Sequence, residues 1–444
     1  MRARQSWLDR EAALRRRIER AKRWFDNPDV DIDTRRWLLI AGVVGLFAAY
    51  LRQPMLALIA LGIALVALLT RIWWDNCFRG LTYERHTSQD RAFYGDTVQI
   101  DLIATNAKPL PLTRLEISDQ VSANVEVVNR QLDRVYQSNT QNLRTVYSLG
   151  MYERVQYTYR VPCKIRGWHR FGPATAAASD PLGLTARRAE LGGSVRFLVY
   201  PRMIPISELI VAPRQPFGDF KPRQSVVEDP MRMSGVREYV PGDSPKRIHW
   251  RATARTGTMQ TRVYEPSASP VAAIFLDTIT FSYLWEGQNS ALLELAVTTA
   301  ASLSNQLLQG RHQVGLYANA PIPGRSRTVR VPPGRRPGHL MRILEDLATL
   351  VPAFGDRIER MVVEELPRLP WGATVVIVTC RVTERLQRSL VRMARTSGTQ
   401  RFTIVAIGAQ PTLLSDLSRR IPVHHLSDEE SWDTIEQITM TRQA

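Results

Sequence analysis

Two uncharged apolar runs stand out near the amino terminus of the chain. They cover residues 37–51 and 54–70, and Trp73 and Trp74 extend the second run. A membrane-spanning helix prefers about 20 apolar residues, so each run is slightly short, although aromatic rings and a snorkelling arginine can complete a span. The pattern predicts a two-helix transmembrane hairpin over residues 37–74, with a buried helical hairpin of a globular domain as the alternative.

Basic residues are distributed unevenly around this hairpin. Arginine and lysine are frequent before the first run and after the second, whereas only Arg52 lies between the two runs. Because positively charged flanks favour the cytoplasmic side, this asymmetry predicts that the amino terminus and the body after the hairpin are cytoplasmic. The predicted location is therefore the cell (inner or plasma) membrane. Residues 1–36 are predicted to form a basic cytoplasmic segment that can lie on anionic headgroups.

From residue 80 onwards the pattern changes to short runs of alternating apolar and polar residues, such as 97–102 and 155–161. Glycine, proline, asparagine and aspartate separate these runs, as they do in the tight turns between strands. The pattern predicts an antiparallel β-sandwich-like module over residues 80–205. A linker and a motif-rich stretch are predicted to follow over residues 206–265.

Over residues 266–430 apolar strands alternate with amphipathic helices. The predicted strands cover 271–277, 314–317, 373–379 and 402–408, and the predicted helices cover 292–307, 340–350, 357–369 and 384–394. Such alternation predicts an α/β domain with a doubly wound, mostly parallel sheet. Ligands of these sheets bind beyond the carboxyl ends of the strands, which is where Asp277 and Thr379 stand.

Composition leaves the range of partners wide. The 444-residue chain has 59 Lys and Arg against 42 Asp and Glu, which gives a formal net charge of +17. Anionic lipid, nucleic acid and acidic protein surfaces are all compatible with this charge. The three cysteines, Cys77, Cys163 and Cys380, are too few and too scattered for a disulfide framework or a metal cluster. They are predicted to be unpaired thiols of a reducing compartment.

A group of charged and aromatic residues lies between residues 235 and 255. Pro241 and Gly242 suit the central positions of a type II turn. Asp243 or Ser244 is suited to cap a following helix, whose first turn admits the proline at position 245. The sequence therefore predicts a turn followed directly by a helix.

Three interpretations of this stretch remain open. On the predicted helix Arg247, Arg251 and Arg255 would form one basic stripe, at i, i+4 and i+8. In the first interpretation the stretch is a structural corner, in which Glu238 pairs with one of these guanidinium groups. In the second interpretation the stripe docks on an acidic surface of a partner protein.

In the third interpretation the stretch is catalytic, with His249 as a general base oriented by Glu238 or Asp243. The sequence offers no recognisable nucleophile motif and no phosphate-binding glycine loop for such a hydrolase. A nucleic-acid interpretation rests on charge alone, because the stacking strip and the reader motifs of such proteins are missing. Neither nucleic acid nor a small-molecule substrate is expected as a partner.

The order of these elements and particular residues within them resemble the family called domain of unknown function 58. The similarity is carried by residues of the motif-rich stretch and of the region before it: Gly235, Arg237, Glu238, Tyr239, Pro241, Gly242, Asp243, Arg247, Ile248, His249, Trp250, Ala254, Arg255, Arg166, Gly167, Phe171, Gly172, Pro173 and 180–184. The resemblance implies a carboxyl-terminal domain similar to von Willebrand factor A domains. It also implies association with MoxR-type AAA+ ATPases and transglutaminase-like membrane proteins, and it leaves the molecular activity open.

A von Willebrand factor A domain would hold Mg²⁺ through an Asp-x-Ser-x-Ser motif after its first strand, since a hard cation needs oxygen ligands. Here Asp277 matches the motif, but the two serine positions are Ile279 and Phe281. Hydroxyl side chains stand at other offsets and after a later strand, at Thr278, Thr280, Ser282 and Thr379. The sequence therefore predicts a degenerate metal site, with neither a metal nor a cofactor.

Together these observations predict a membrane-anchored, non-enzymatic adaptor or scaffold. Its cytoplasmic domains would bind protein partners, a MoxR-type AAA+ ATPase and a transglutaminase-like membrane protein among them. One alternative is a hydrolase-type enzyme that uses Glu238, Asp243 and His249. The other is a protein that binds anionic lipid or nucleic acid through arginine-rich surfaces.

Overall fold

The chain divides into two compact units, Met1–Tyr200 and Pro201–Ala444. The computed structural model describes residues 34–135, 138–180, 186–206, 228–240, 243–266, 270–281, 287–321, 328–351, 357–370, 372–396, 401–408, 412–426, 432–438 and 441–443. Some sequence predictions lie outside the described residues: those for residues 1–33, for the 181–185 turn, for most of the 206–227 linker, and for Pro241, Gly242 and Ser282.

The first unit begins with two apolar helices, α1 (Thr34–Leu51) and α2 (Pro54–Asn76). Two residues join them, and Arg52 takes up a left-handed backbone conformation there, with a φ of 50°. Small side chains are buried along both helices: Ala41, Ala48, Ala60 and Ala67. Small residues let two helix backbones approach closely, so α1 and α2 form the predicted helical hairpin.

Only α2 is long and apolar enough to cross a membrane among the helices of the described chain. Its 23 residues extend over about 35 Å, compared with the about 30 Å of a bilayer core. The apolar part of α1 is shorter, at 16 residues over Arg36–Leu51, or about 24 Å. The prediction of two membrane spans is therefore supported for the second span alone, because Arg36 and Arg52 bound the first apolar run too tightly.

Antiparallel strands make up the rest of the first unit. Their bounds are β1 Leu81–Thr87, β2 Arg91–Ala92, β3 Thr97–Asn106, β4 Leu112–Ser122, β5 Asp133–Arg134, β6 Thr140–Leu149, β7 Arg154–Pro162, β8 Gly167–Ser179, β9 Ala186–Leu191 and β10 Val195–Val199. One sheet has the order β1-β3-β7, and the other has the order β2-β10-β8-β4-β6-β5, with β9 paired to β8. Apart from the short parallel pair of β2 and β10, neighbouring strands run antiparallel, as predicted for this region.

The two sheets share one core. Apolar residues that alternate along β3, such as Val98 and Ile100, are buried against Phe171 and Phe197 of the other sheet. The period-2 pattern of these strands thus places one face of each sheet inside, as in a β-sandwich. The last turns of α2 enter a second part of this core, where Trp73 and Cys77 are buried.

The second unit is built on a seven-stranded sheet with the order β15-β14-β13-β16-β17-β18-β19. Its strands are β13 Val271–Leu276, β14 Gln313–Pro321, β15 Thr328–Gly334, β16 Thr374–Thr379, β17 Arg401–Ile407, β18 Val423–Leu426 and β19 Thr441–Gln443. The five strands from β14 to β18 in this order are parallel, and β15 and β19 close the edges antiparallel. The predicted mostly parallel sheet is confirmed, whereas β15, β18 and β19 were not predicted.

Helices connect the parallel strands. They are α4 Ser290–Gln309, α5 His339–Thr349, α6 Ile358–Glu365, α7 Glu384–Thr396 and α8 Ser415–Arg420. Residues of α6 and α7 pack against the sheet face that carries Ala273 and Phe275. The alternate residues of β13, such as Ile274, are equally buried, and α4 packs along the same strand. Helices on both faces explain why the strands are apolar at every position.

The motif-rich stretch forms a separate small element before this sheet. Strands β11 (Glu228–Glu238) and β12 (Gln260–Pro266) pair antiparallel. Between them lie a short 3₁₀ turn, Pro245–Arg247, and one helix, α3 (Trp250–Thr256). We call the part of this element from residue 235 to residue 261 the signature hairpin.

Candidate functional site

Backbone pairing fixes the signature hairpin from both sides. Arg237 lies opposite Thr261, and Glu238 lies opposite Gln260. The N–H of Tyr239 extends the ladder by donating to the carbonyl of Met259 at 2.8 Å. The paired strand ends therefore close the hairpin, and the residues between them form one loop.

The predicted helix is interrupted at Ile248. This residue has an extended backbone, with φ of −61° and ψ of 128°, and it bridges to Thr261 of β12. Its side chain is buried, so pairing and burial outweigh the local helical pattern. The predicted stripe is consequently divided: Arg251 and Arg255 share one side of α3, while Arg247 belongs to the preceding 3₁₀ turn.

His249, rather than the predicted Asp243 or Ser244, caps α3. Its Nδ1 accepts a hydrogen bond from the backbone N–H of Ala252 at 3.0 Å, and its carbonyl accepts from the Thr253 hydroxyl at 3.2 Å. The helix ends at Gly257, whose φ of 71° is the left-handed conformation common at helix carboxyl termini. The imidazole thus satisfies a helix N–H that would otherwise lack a partner.

Asp243 organises the turn before the helix. One of its carboxylate oxygens pairs with Arg237 Nη2 at 2.6 Å, and the other accepts from the N–H of Val240 at 3.1 Å. The hydrogen bond from Arg237 is the main reason why the pKa of the Asp243 carboxyl lies below its usual value. The expected ion pair of Glu238 with a helix arginine is not found among the described residues, and the Glu238 side chain is exposed.

These contacts do not assemble the hydrolase arrangement. His249 Nδ1 is occupied by the helix N–H, and the Asp243 carboxylate is occupied by Arg237 and Val240. A general base needs an orienting partner and a free nitrogen directed at a nucleophile. Within the described chain, no hydrogen bond links His249 to Glu238 or Asp243.

The signature hairpin exposes several large apolar side chains. Trp250 is 66% exposed, Val240 55%, Met259 47% and Val236 39%. They accompany the exposed Arg251 and Arg255 of α3. Tryptophan and arginine are the residue types that most often dominate the binding energy of protein interfaces. The arginines and Trp250 were identified from the sequence, whereas the exposed apolar residues before and after them along the chain were not.

A second cluster lies at the carboxyl ends of β13, β14 and β16. The chain continues from β13 to β14 on one side and from β16 to β17 on the other side of the sheet. The gap between β13 and β16 is therefore the topological switch point of the sheet. Asp277 follows β13 and is buried, and its Oδ2 accepts a hydrogen bond from the Thr379 hydroxyl of β16 at 3.0 Å. The two residues expected at a site from the sequence are therefore in direct contact.

Asn319 of β14 joins these two residues and was not predicted. Its amide nitrogen donates to Asp277 Oδ1 at 2.7 Å. Its amide oxygen accepts from the N–H and the hydroxyl of Thr278, at 2.8 and 2.9 Å. The available signal was a polar residue at the end of an apolar strand that neighbours β13, the position where parallel sheets place their ligands.

Burial raises the pKa of the Asp277 carboxyl, although Asn319, the N–H of Ile279 and the charge of Arg381 oppose the shift. The Thr379 hydroxyl lies within hydrogen-bond distance of both Asp277 and the carbonyl of Arg381. It has one proton and can donate to only one of them at a time. A protonated Asp277 would donate to Thr379 and free that hydroxyl for the carbonyl. The contacts of this cluster thus favour the protonated, uncharged form of the Asp277 carboxyl.

These residues do not fit the Mg²⁺ site implied by the resemblance. Both oxygens of Asp277 are already engaged in hydrogen bonds, and the Arg381 charge that acts on this carboxyl would repel a cation. Ile279 and Phe281 supply no side-chain oxygen, and the Thr280 hydroxyl accepts from the N–H of Asn289. No group of three or more His, Cys, Asp or Glu suited to a metal occurs in the described part of the chain.

The cysteines are free thiols. Cys380 follows Thr379, and burial raises the pKa of its thiol to about 12. Burial likewise raises the pKa of Cys163 to about 11. Thiols with such pKa values are almost fully protonated at neutral pH, and the thiolate is the reactive form. Neither cysteine therefore adds a nucleophile to the two clusters.

The fold and the two clusters define a class of protein. In chain order it has two apolar helices, a β unit, the signature hairpin and an α/β domain. Residues 235–439 match the family described as Protein of unknown function DUF58. The match covers the signature hairpin and most of the α/β domain. It is also 24% identical over 311 residues to the uncharacterised protein YeaD of Bacillus subtilis (strain 168), across 69% of this chain and 72% of that protein.

Two solved structures resemble part of the chain at low sequence identity. The CARDB domain of a Pyrococcus furiosus protein is 14% identical, with a TM-score of 0.18, over 27% of this chain and 91% of that one. A cohesin module of a Clostridium perfringens family 33 glycoside hydrolase is 14% identical, with a TM-score of 0.20, over 27% of this chain and 96% of that one. Similarity at this level carries no functional argument.

Proposed function

We propose that the protein is a membrane-anchored, non-enzymatic adaptor. The helix pair supports the anchor, because α1 and α2 expose many large apolar side chains: Leu39 is 68% exposed, Leu46 75% and Met55 77%. Contiguous apolar surface of this kind is rare on soluble proteins and is stable in lipid. In this proposal the β unit and the α/β domain follow the anchor on the cytoplasmic side, and the surplus of basic residues around the helix pair supports that orientation.

The observation that carries the adaptor function is the exposed Trp250 beside Arg251 and Arg255. We infer that this surface docks on an acidic partner protein, with the tryptophan buried on binding and the arginines paired with carboxylates. The α/β domain, for which the family resemblance implies a von Willebrand factor A-like fold, would support this surface. A MoxR-type AAA+ ATPase is the partner that the family resemblance suggests, and a transglutaminase-like membrane protein is a further one.

Two alternatives have less support. The hydrolase would need Glu238, Asp243 and His249 to act together, but their contacts serve the turn and the helix cap. Nucleic-acid binding rests on net charge. A fold can serve as a protein-binding platform after it has lost its metal site. The Asp277 carboxyl, whose oxygens are hydrogen-bonded within the protein, is consistent with that use.

The test measures binding of the full-length protein, purified in neutral detergent, to a purified MoxR-type ATPase. We expect submicromolar binding to wild type and a loss of at least tenfold in Trp250→Ala/Arg251→Ala/Arg255→Ala. Higher salt should weaken the association rate most, since exposed charges steer the encounter.

The matched control is Arg388→Ala/Arg392→Ala, which removes two exposed arginines from α7. It should bind as wild type does. Equal binding by the signature variant, or its loss in the control to the same extent, would overturn the docking surface. Thermal melting of each variant shows whether the fold is intact.

A further inference from the structure

The end of α2 forms a pocket of about 620 Å³, lined by Asp75, Asn76, Phe78, Arg79 and Arg187. We propose that this pocket binds the phosphate of an anionic phospholipid headgroup. The proposal rests on the membrane anchor proposed above. It adds a ligand and a site to a part of the chain outside both clusters described so far.

The pocket lies at the depth of the headgroups if α2 spans the bilayer. About 20 helical residues cross the hydrocarbon core, which takes the chain from Pro54 to Trp73. Residues after Trp73 then occupy the interfacial layer, and Trp74 adjoins the pocket at the level where tryptophan is enriched. The phosphate of a lipid headgroup would thus lie at the same depth as the pocket.

The charges of the pocket favour an anion. Its one acid, Asp75, is paired with Arg71 at 3.1 Å. Arg79 donates to the side-chain oxygen of Asn76 at 3.2 Å. Neither Arg79 nor Arg187 has an ion pair within the described residues, so two guanidinium groups retain charge that the surrounding protein does not neutralise.

Arg187 is held in position by the helix end. Its Nη1 donates to the carbonyl of Trp74 at 2.5 Å, and its guanidinium lies 5.7 Å from the centre of the Trp74 ring. Lys108 donates to the carbonyl of Cys77 at 2.7 Å. These donors offset the negative end of the helix dipole, which would otherwise repel an anion. The remaining N–H groups of Arg187 can form the paired hydrogen bonds that arginine makes with phosphate.

Phosphate chemistry is common to a lipid and to free phosphate, and the neighbouring apolar surface favours the lipid. Phe78 lines the pocket, and the exposed apolar side chains of α2 continue from it, such as Ile72 at 48% exposure. An acyl chain can lie along this helix while the headgroup occupies the pocket. Free phosphate gains nothing from that surface.

The experiment measures lipid retention by full-length protein in neutral detergent, using native mass spectrometry. Phosphatidylglycerol and phosphatidylcholine of equal chain length are added in equal amounts. We expect wild type to retain phosphatidylglycerol at least tenfold more than phosphatidylcholine, and Arg79→Ala/Arg187→Ala to lose this preference. Equal retention of the two lipids by wild type would overturn the proposal.

The matched control is Arg160→Ala/Arg170→Ala, which removes the same charge from exposed positions of β7 and β8. It should keep the preference for phosphatidylglycerol. Loss of the preference in this control would show that the preference follows the overall charge and would overturn the role of the pocket. Arg79→Gln/Arg187→Gln replaces the alanine variant if that variant fails to fold. Inorganic phosphate at 100-fold excess should not displace the lipid, and displacement would identify free phosphate as the ligand.

A separate arm tests the anchor on which the proposal rests. Wild type and Arg79→Ala/Arg187→Ala are reconstituted with vesicles of phosphatidylcholine alone and are floated on a density gradient. Both should float, because α2 inserts regardless of headgroup charge. Failure of both to float would overturn the anchor, whereas floating of both without a headgroup preference in detergent would overturn the pocket alone.

Discussion

At the scale of single residues, His249 is a helix cap rather than a base. Its Nδ1 accepts from Ala252, and loss of a capping acceptor destabilises a protein by about 1 kcal/mol. We therefore expect His249→Ala to lower the free energy of unfolding by about that amount, and His249→Asn to retain most of it. Urea denaturation of the full-length protein in detergent measures both. An unchanged stability in His249→Ala would contradict the capping role.

Asp277 provides a second prediction at this scale. Asp277→Asn places an amide where a protonated carboxyl would donate to Thr379, so we expect a change within about 1 kcal/mol. Asp277→Ala leaves the buried Asn319 amide without its acceptor and the Thr379 oxygen without its donor, and should cost about 2–3 kcal/mol. Denaturation at fixed pH distinguishes the two variants.

The same residue predicts a pH dependence. Because its folded pKa is raised, wild type gains stability relative to Asp277→Asn below the pKa of unfolded aspartate, about 3.9. That gain is lost as the pH rises through the folded pKa, above which the difference is constant. The free energies of unfolding of both proteins, measured from about pH 4 to about pH 8, test this pH dependence. A constant difference across the window would contradict the buried, protonatable carboxyl.

At the scale of elements, the joint between α2 and the β unit depends on Trp73. This side chain is 3% exposed within the core formed by both sheets. Removing a buried tryptophan side chain costs about 3–5 kcal/mol. We expect Trp73→Ala to show that loss by thermal melting, while Ile72→Ala, which alters the exposed face of the same turn, should change stability by less than about 1 kcal/mol. Similar losses in both variants would contradict a specific role for the joint.

Elements with a strong apolar period were predictable, and those decided by distant pairing were not. The pattern of α7 gave residues 384–394, and the structure gives Glu384–Thr396. Edge strand β15 contains Pro332 and Pro333, and edge strand β19 has only 3 residues, so neither has the sequence of a regular strand. Ile248 has a helical sequence context, but its bridge to Thr261 extends it. Asn319 was missed because its role depends on two strands that are far apart in sequence.

At the scale of the whole molecule, the apolar helix pair and the β unit are not separable at an arbitrary residue. Trp73 and Cys77 belong to the core of the β unit although they lie in or directly after α2. We expect a chain shortened to begin at Ile72 to fold without membrane lipid, since it keeps both residues. A chain that begins at Phe78 lacks both and should melt at a lower temperature or aggregate. Circular dichroism and gel filtration compare the two, and equal behaviour would contradict the shared core.

If α2 spans a bilayer, the buried Trp73 also determines how motion of the bilayer reaches the rest of the first unit. Transmembrane helices tilt by about 20° on average, and the tilt follows bilayer thickness. No flexible linker separates α2 from the sandwich, because Trp73, Cys77, and the bonds from Lys108 and Arg187 fix the last turns of the helix to the strands. In an anchored chain the helix therefore acts as a lever, and a thinner or thicker membrane rotates the β-sandwich as one piece.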